Sequence, residues 1–509
     1  LDETITINEN RAGRDVYDIL QRSINFERLT KLIIQDLIDS RKESVLFKRY
    51  KKEDVIDALE SPQSNETKIR NISNFLYLNS THYKRLCNYF SKLLTYNYTI
   101  SPYRVNIDKY NKKSFLLNYR KVADQVEKFN LKHILPNIFN ICMYQDAFFG
   151  ICFETSDSFD IAQISADYCK ITSKEDGCLV FSLNFDYFKT RAYLLDNFGE
   201  EIKQMFLAYA GYTIESESGK NKKVPGDKKL QWQEPPNQIC IKANEDQTNF
   251  LFPPFAGVFP EILNLEDYKL LKKTGQLLDK YKILSMKIPL NKETGVPLLP
   301  FDIAESFYKQ ALKNIDPSIG LIWSPMEIEK FDFQNSRTSE SDAVNEAEAA
   351  LWAATGSNGA LFGQGEKLSS SSLNISIRND ESLVYSLLLQ VEAWINRYIK
   401  SMRLPYSFKV KYLNQSIYNQ KDIIDQFQKA ATYGVAASRS LYAASLGISP
   451  SDVLNLGQLE NDLGYADSWV PLKSSSTMSP SGDGGRPIKD NITDSTEAGR
   501  ENDSNAERK

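Results

Sequence analysis

Histidine is nearly missing: His82 and His133 are the only two in 509 residues. A His-rich metal centre therefore cannot be assembled, and each ring is expected to be an ordinary structural or surface side chain. The six cysteines (Cys87, Cys142, Cys152, Cys169, Cys178, Cys240) form no CxxC and sit in apolar contexts. Buried, reduced thiols are expected rather than disulfides. No HExxH, GxSxG, DxDxDG or GxxxxGK[ST] occurs, so zinc hydrolysis, a serine nucleophile elbow, an EF-hand and a Walker loop all lack their residues. Gly359, Gly363 and Gly365 invite a phosphate-loop reading, yet their run follows a helical pattern rather than a strand. No catalytic residue, cofactor site or metal site is assigned, and a non-enzymatic chain is expected.

An excess of either charge is also missing. A net charge of -4 and a pI near 5.7 exclude a protein that grips nucleic acid over its whole surface. Any DNA contact should be local or loose. No uninterrupted apolar run is long enough to span a bilayer: the most apolar stretch, His133 to Phe153, is broken by Pro136, Asn137, Asn140, Gln145 and Asp146. The opening LDETITINEN is polar and acidic, unlike a secretory leader. No repeat of fixed period is found.

What is present is organised around Glu261 to Met402. Glu261 to Met286 carries Leu263, Leu270, Leu271, Leu277, Leu278 and Tyr281 at helical spacing, predicting one amphipathic helix. Lys269, Lys272, Lys273 and Lys280 fall off that stripe, on a solvated face or a channel wall. Ser339 and Asp342 then read as a capping box before a second helix, on which Ala343, Ala347, Ala350 and Ala354 stack along one face. Small residues let another helix approach closely. The acidic residues Glu340, Asp342, Glu346 and Glu348 are spread round this helix near its amino end, where they complement the dipole better than they would hold a cation. The helix stops at GSNGALFGQGEKLSSSS, from Gly356 to Ser372, which predicts a mobile loop, and a third helix runs from about Arg378 to Met402.

Elsewhere Lys68 to Leu94 reads as one long aromatic-rich helix, followed by helices at Lys113–Phe129 and Leu131–Phe148. From Gly150 the period changes to that of a small antiparallel meander. Helical pattern resumes from Tyr187 to Ala210, a lysine-bearing hairpin turn is expected at Gly219–Lys229, and the proline-rich Phe250–Pro260 reads as a hinge. Within the insert, Lys287–Leu290 predicts a strand, Asp302 with Glu305 a capped helix to Ile315, and LIWS and EIEKFDF two more strands. Pro405–Leu413 alternates like a strand, three short helices follow to Gly464, and the Ser-, Gly- and acid-rich stretch after Val470 is expected to be disordered.

This order of elements resembles the portal proteins of tailed bacteriophages, the larger single-chain type. The carriers are IRNISNFLYLNSTHYKRLCNYFSKLLTYNYTISPY, the helix, insert and helix of Glu261–Ala354, the loop TGSNGALFGQGEKLSSSS, and LGISPSDVLNLGQLENDLGY with its polar tail. The resemblance implies an α+β fold in several parts: a wing over 1–260, stem helices over 261–286 and 334–354, a clip over 287–333, and a tunnel loop over 355–373. A long helix and strand over 374–415, a crown over 416–465 and a disordered tail over 466–509 complete it. It further implies a dodecameric ring of identical subunits at one capsid vertex, assembled in the host cytoplasm, through which double-stranded DNA passes without sequence specificity. Partners would be the major capsid and scaffolding proteins, the large terminase subunit and a head-tail adaptor, with no membrane involved. Carried over by position, Gly356, Ser357, Asn358, Gly359, Phe362, Gly363 and Lys367 would face DNA. Another capsid or connector protein, or a nucleic-acid translocase, are the alternatives.

Overall fold

The computed structural model describes residues 31–35, 49–106, 108, 110–214, 222–278, 282–287, 298–315, 319–324, 331–332, 337–363, 370–435 and 437–465. The fold is α+β, with long helices and several small sheets rather than one large one. The chain forms two compact units, Leu1–Ser451 and Asp452–Lys509. Residues 219–221 of the turn expected at 219–229, Lys280, Lys367 and the tail after 465 lie outside the described residues.

In the first unit, helices α1 (Lys52–Glu60), α2 (Glu66–Asn79), α3 (Thr81–Ser91), α4 (Lys112–Lys128) and α5 (Leu131–Gln145) precede the meander. The single helix expected over Lys68–Leu94 is two. The chain is extended at Ser80, whose side chain accepts from the Tyr83 amide and so caps α3. Aromatic rings then do what core rings do: Tyr83 and Phe90 are buried, and the Tyr83 hydroxyl meets Ser73 Oγ at 2.7 Å. The extended Tyr98–Tyr103 (β1) pairs antiparallel with Ser407–Tyr412 (β13).

Two three-stranded antiparallel sheets follow, β3-β2-β9 (Phe159–Ile164, Ala147–Glu154, Gln238–Lys242) and β4-β5-β8 (Cys169–Glu175, Cys178–Asn184, Trp232–Gln233). A second core of Phe149, Ile151, Phe181 and Leu183 lies between them, joined by Phe188 and Ile202. Gly150 is at the crowded centre of β2, where a Cβ would sit 2.6 Å from Ile161 Cγ2. Helix α6 (Gly199–Ala210) leads into the hairpin β6-β7 (Gly211–Ile214, Lys222–Pro225).

The two cores meet at a buried ion pair. Asp146 ends α5 with φ +73°, and its carboxylate accepts from Lys242 Nζ, from Asn244 N and Nδ2 at 3.0 Å each, and from Phe252 N at 2.9 Å. Neither charged side chain has any exposure. Burial pushes the Asp146 carboxyl above its ordinary value, with Lys242 opposing that rise. Because these bonds fix Phe252, and Leu251, Phe255 and Phe259 are buried, Phe250–Pro260 is a packed connection and not the hinge its prolines predict. All six cysteines are buried with free thiols, each pushed above its ordinary pKa by burial.

Helix α7 (Phe259–Leu278) opens the central stretch. It does not reach Met286: Lys282–Lys287 is a strand, β10, pairing parallel with β11 (Ile319–Ser324) and antiparallel with β12 (Phe331–Asp332). An apolar run at this spacing serves either period, and the parallel partner across a helical crossover decides for the strand. The crossover is α8 (Phe301–Asn314), whose Tyr308 hydroxyl donates to the Leu321 carbonyl at 3.2 Å. Its N-cap position is Pro300, so Asp302 acts on the helix dipole and not as a cap. Helix α9 (Arg337–Thr355) begins before Ser339, placing the expected capping box inside the helix. Helix α10 (Ser370–Ser401) starts about two turns earlier than its pattern predicts. Helices α11 (Gln420–Thr432) and α12 (Ser438–Ser445) close the first unit, and α13 (Pro450–Asp462) runs into the second.

Candidate functional site

The candidate site is the antechamber of the central stretch: α7, α9, the residues after Thr355, and the start of α10. Helices α7 and α9 pack together near the main core. There Phe259, Ile262, Leu263 and Leu265 of α7 and Ala347, Leu351 and Trp352 of α9 are buried. Further along α7 the burial stops, leaving Tyr268 exposed and Leu271 61% exposed. The βαβ module between the helices likewise leaves Ile303 and Phe307 open on α8, Phe307 at 55%. These two stand four residues apart, hence on one helical face.

The lysines of α7 follow the amphipathic prediction: Lys269 and Lys273 are exposed and Lys272 half-buried. The alanine stripe is divided. Ala347 is buried within the chain's own core and Ala343 half-buried, whereas Ala350 and Ala354 are exposed. The stripe lies along the border of the face that α9 turns inward, so only its outer members remain open to another chain.

The part of the loop after α9 that is described, residues 356–363, is held by specific contacts; 364–369 lie outside the described residues. Gly356 and Gly363 take left-handed backbone, φ +74° and +98°, and between them Gly359–Phe362 forms a turn of 3-10 helix. Asn358 Oδ1 accepts from the Ala360 amide at 2.9 Å, and the Ser357 amide donates to Thr355 Oγ1 at 3.1 Å. The Phe362 ring stacks on Trp352 with centroids 3.9 Å apart and planes within 2°, and Tyr89 meets it edge-on at 5.3 Å. Arg85 lies over the same ring and donates from Nη1 to the Phe362 carbonyl at 2.9 Å. Phe362 and Ser357 are therefore buried and do not face a channel. An aromatic ring gains too much from burial beside another to stay in water.

Asp380 of α10 anchors the other side. Ser357 Oγ donates to its Oδ1 at 3.2 Å and Tyr89 Oη to its Oδ2 at 3.0 Å. Burial pushes this carboxyl up from its ordinary value, and the two hydrogen bonds only partly offset that. Beside Trp352, His82 Nε2 lies 3.5 Å from Glu348 Oε1. Burial lowers the His82 pKa, Lys269 lowers it further and Glu348 opposes, so the ring is neutral near pH 7. Arg85, Tyr89 and Asp380 escaped the sequence reading because they are single polar or aromatic residues within amphipathic helices, with no motif to mark them. Among the described residues no cluster of His, Cys, Asp and Glu could hold a metal ion, and no helix is long and apolar enough to cross a membrane.

No protein-family model and no curated protein matches the chain. Among the solved structures similar over most of its length are two of gene transfer agent particles. One is the neck of an empty gene transfer agent particle, computed with C6 symmetry, at 12% identity and a TM-score of 0.37, covering 72% of this chain and 90% of that one. The other is the virion of a native gene transfer agent particle, at 13% identity and a TM-score of 0.33, covering 70% and 84%. At such identities and TM-scores, the functional reading rests on the chain's own geometry.

Proposed function

We propose that the chain is the repeating subunit of a portal ring, a non-enzymatic conduit for double-stranded DNA at one vertex of a phage-like capsid. The observation that carries the ring is the burial pattern of α7, α9 and the module between them. Both helices are anchored at one end in the subunit core, while Tyr268, Leu271, Ile303 and Phe307 stay in water in the isolated chain. Apolar side chains left open along a helix pair and its tip are covered when a neighbouring copy packs against them, and one chain closes such contacts by cyclic symmetry. The exposed Ala350 and Ala354 allow the close approach this needs.

In this reading Lys269, Lys272 and Lys273 give the stem a modest positive lining. A channel for moving DNA should hold it weakly, because each neutralised phosphate adds affinity. Gly356, Asn358, Gly359 and Gly363 remain as the backbone nearest the passage. The module 287–333 serves as a docking surface for the packaging motor and later a head-tail adaptor, with capsid and scaffolding proteins around the wing.

Negative-stain imaging and native mass spectrometry of the purified chain test the proposal. Annular particles are expected, twelve-fold in the assembled capsid, and Leu271→Glu with Phe307→Glu should leave folded monomers. A wild-type chain that stays monomeric under every assembly condition overturns it. Labelling at one vertex separates a portal from other capsid components.

A further inference from the structure

The ribbon β1-β13 and the end of α10 border a cavity of about 470 Å³ that includes none of the stem or loop residues of the proposed function. Eleven residues line it, and none is Asp or Glu. Four are cations: Arg104 at the end of β1, Lys400 and Arg403 around the end of α10, and Lys409 on β13. Lys400 is engaged, reaching both carboxylate oxygens of Asp176 at 2.6 and 2.8 Å. Arg104, Arg403 and Lys409 are exposed and, among the described residues, have no carboxylate partner. Arg104 and Lys409 instead lie over the ring of Tyr103, at 4.9 and 5.8 Å from its centroid. Both arginines also hold left-handed backbone, φ +54° and +49°, a conformation uncommon for such side chains.

Like charges gathered round one concavity without counter-ions are a binding site for an anion. The geometry points to the phosphodiester backbone of a nucleic acid as that anion. Along β13 the buried residues are Phe408, Val410 and Tyr412, so Ser407, Lys409 and Lys411 share the open face. Opposite them on β1 stand Tyr103, Ser101 and Thr99. Alternate residues of a strand lie about 6.8 Å apart, twice the ~3.4 Å axial spacing of phosphates along one strand of a duplex. Lys411, one strand repeat along from Lys409 and outside the cavity, therefore extends the positive edge farther than a single small anion reaches, as a phosphate chain would. The hydroxyls of Ser101 and Ser407 are further donors to phosphate oxygens. The negative end of the α10 dipole opposes an anion here, but two of its last carbonyls are already bonded to the Met402 and Arg403 amides. None of the lining residues is among the stem residues Tyr268, Leu271, Ala350 and Ala354, so the site can be removed without changing them.

The test is anisotropy of labelled short duplex DNA with the full chain, titrated across salt concentrations. Arg104→Ala with Arg403→Ala and Lys409→Ala should make the slope of log affinity against log salt shallower by about 2.7, from three contacts at ~0.9 each. That corresponds to an affinity loss on the order of a hundredfold at roughly 0.15 M salt. Lys121→Ala with Lys228→Ala and Lys229→Ala removes the same charge elsewhere and should change the slope little. Equal losses in both variants, or none in the first, overturn the site. Should the triple variant fail to fold, Lys409→Glu, at an exposed position, carries the same test with the same sign. Calorimetry with inorganic pyrophosphate is the second arm: binding of pyrophosphate that needs these three residues, without DNA binding that needs them, overturns the nucleic-acid assignment.

Discussion

Replacing Asp146 by Asn should be among the most destabilising isosteric changes in the chain, and the structure separates the reasons. Asn tolerates the positive φ at this position but keeps only one oxygen, so the Asn244 amides on the Oδ1 side and the Phe252 amide on the Oδ2 side cannot both be satisfied, and one of these bonds is lost besides the charge. What it removes is the counter-charge of Lys242, whose side chain has no exposure. Leaving one member of a buried pair charged and alone costs about 3–5 kcal/mol, roughly two to three and a half orders of magnitude in the local opening equilibrium. Lys242→Met alone strands the carboxylate and should cost a similar amount. The double variant removes both charges and keeps the volume, so most of the stability should return. A chain of this size need not unfold in one step, so the assay is hydrogen exchange of peptides spanning residues 240–253, alongside urea denaturation. Faster exchange in both single variants and recovery in the double variant is the expected pattern. A loss below about 1 kcal/mol in Asp146→Asn, or a double variant as damaged as the sum of the singles, would refute the reasoning.

Three further outcomes follow from the same structure. Phe362→Ala empties the space against Trp352 and Tyr89 and should cost about 3–5 kcal/mol locally, read as loss of exchange protection over residues 352–363. Asp380 has a folded pKa raised from 3.8 by burial, so its contribution to stability is full below that value and is lost as pH rises through the raised one. Asp380→Asn should remove this decline, and its urea midpoint relative to wild type should therefore rise between about pH 4 and pH 7; a constant difference contradicts the assignment. Leu271→Glu with Phe307→Glu should abolish annular particles while leaving the thermal midpoint at that of the wild-type monomer, because neither side chain is part of the subunit core.

Periodicity made the helices of the central stretch and the short helices after Gln420 legible, because each buries one face against a core. It failed at Lys282–Lys287, where a run compatible with either period is claimed by a parallel partner some 35 residues later in the chain. The break at Ser80 was hidden because the apolar spacing continues across it, and only the cap geometry ends the helix. At the loop, composition misled for a physical reason. Gly356 and Gly363 take positive φ, which glycine adopts freely, and the aromatic between them is held by Trp352 and by Arg85, which is far away in sequence. The Asp146 hub left one trace, a carboxylate in the middle of MYQDAFFG, which an apolar context permits only with a partner.

The same burial data bear on the symmetry of assembly. A two-fold dimer uses one patch twice, so its contact surface must complement itself. The open apolar residues Tyr268 and Leu271 belong to α7, whereas the open small residues Ala350 and Ala354 belong to α9. Large side chains on one helix and small ones on its neighbour are complementary to each other and not to themselves: a Leu271 packs against the alanines of another copy better than against a second Leu271. A two-fold pair can also satisfy such contacts, with α7 of each copy on α9 of the other, so the ring proposed above requires the head-to-tail option, which closes when the rotation per subunit divides the circle. In the proposed ring the division of the alanine stripe has a part in this arrangement. Ala347 belongs to the subunit's own packing, which sets the rotation of α9 about its axis, and that rotation in turn determines where Ala350 and Ala354 stand for the neighbour.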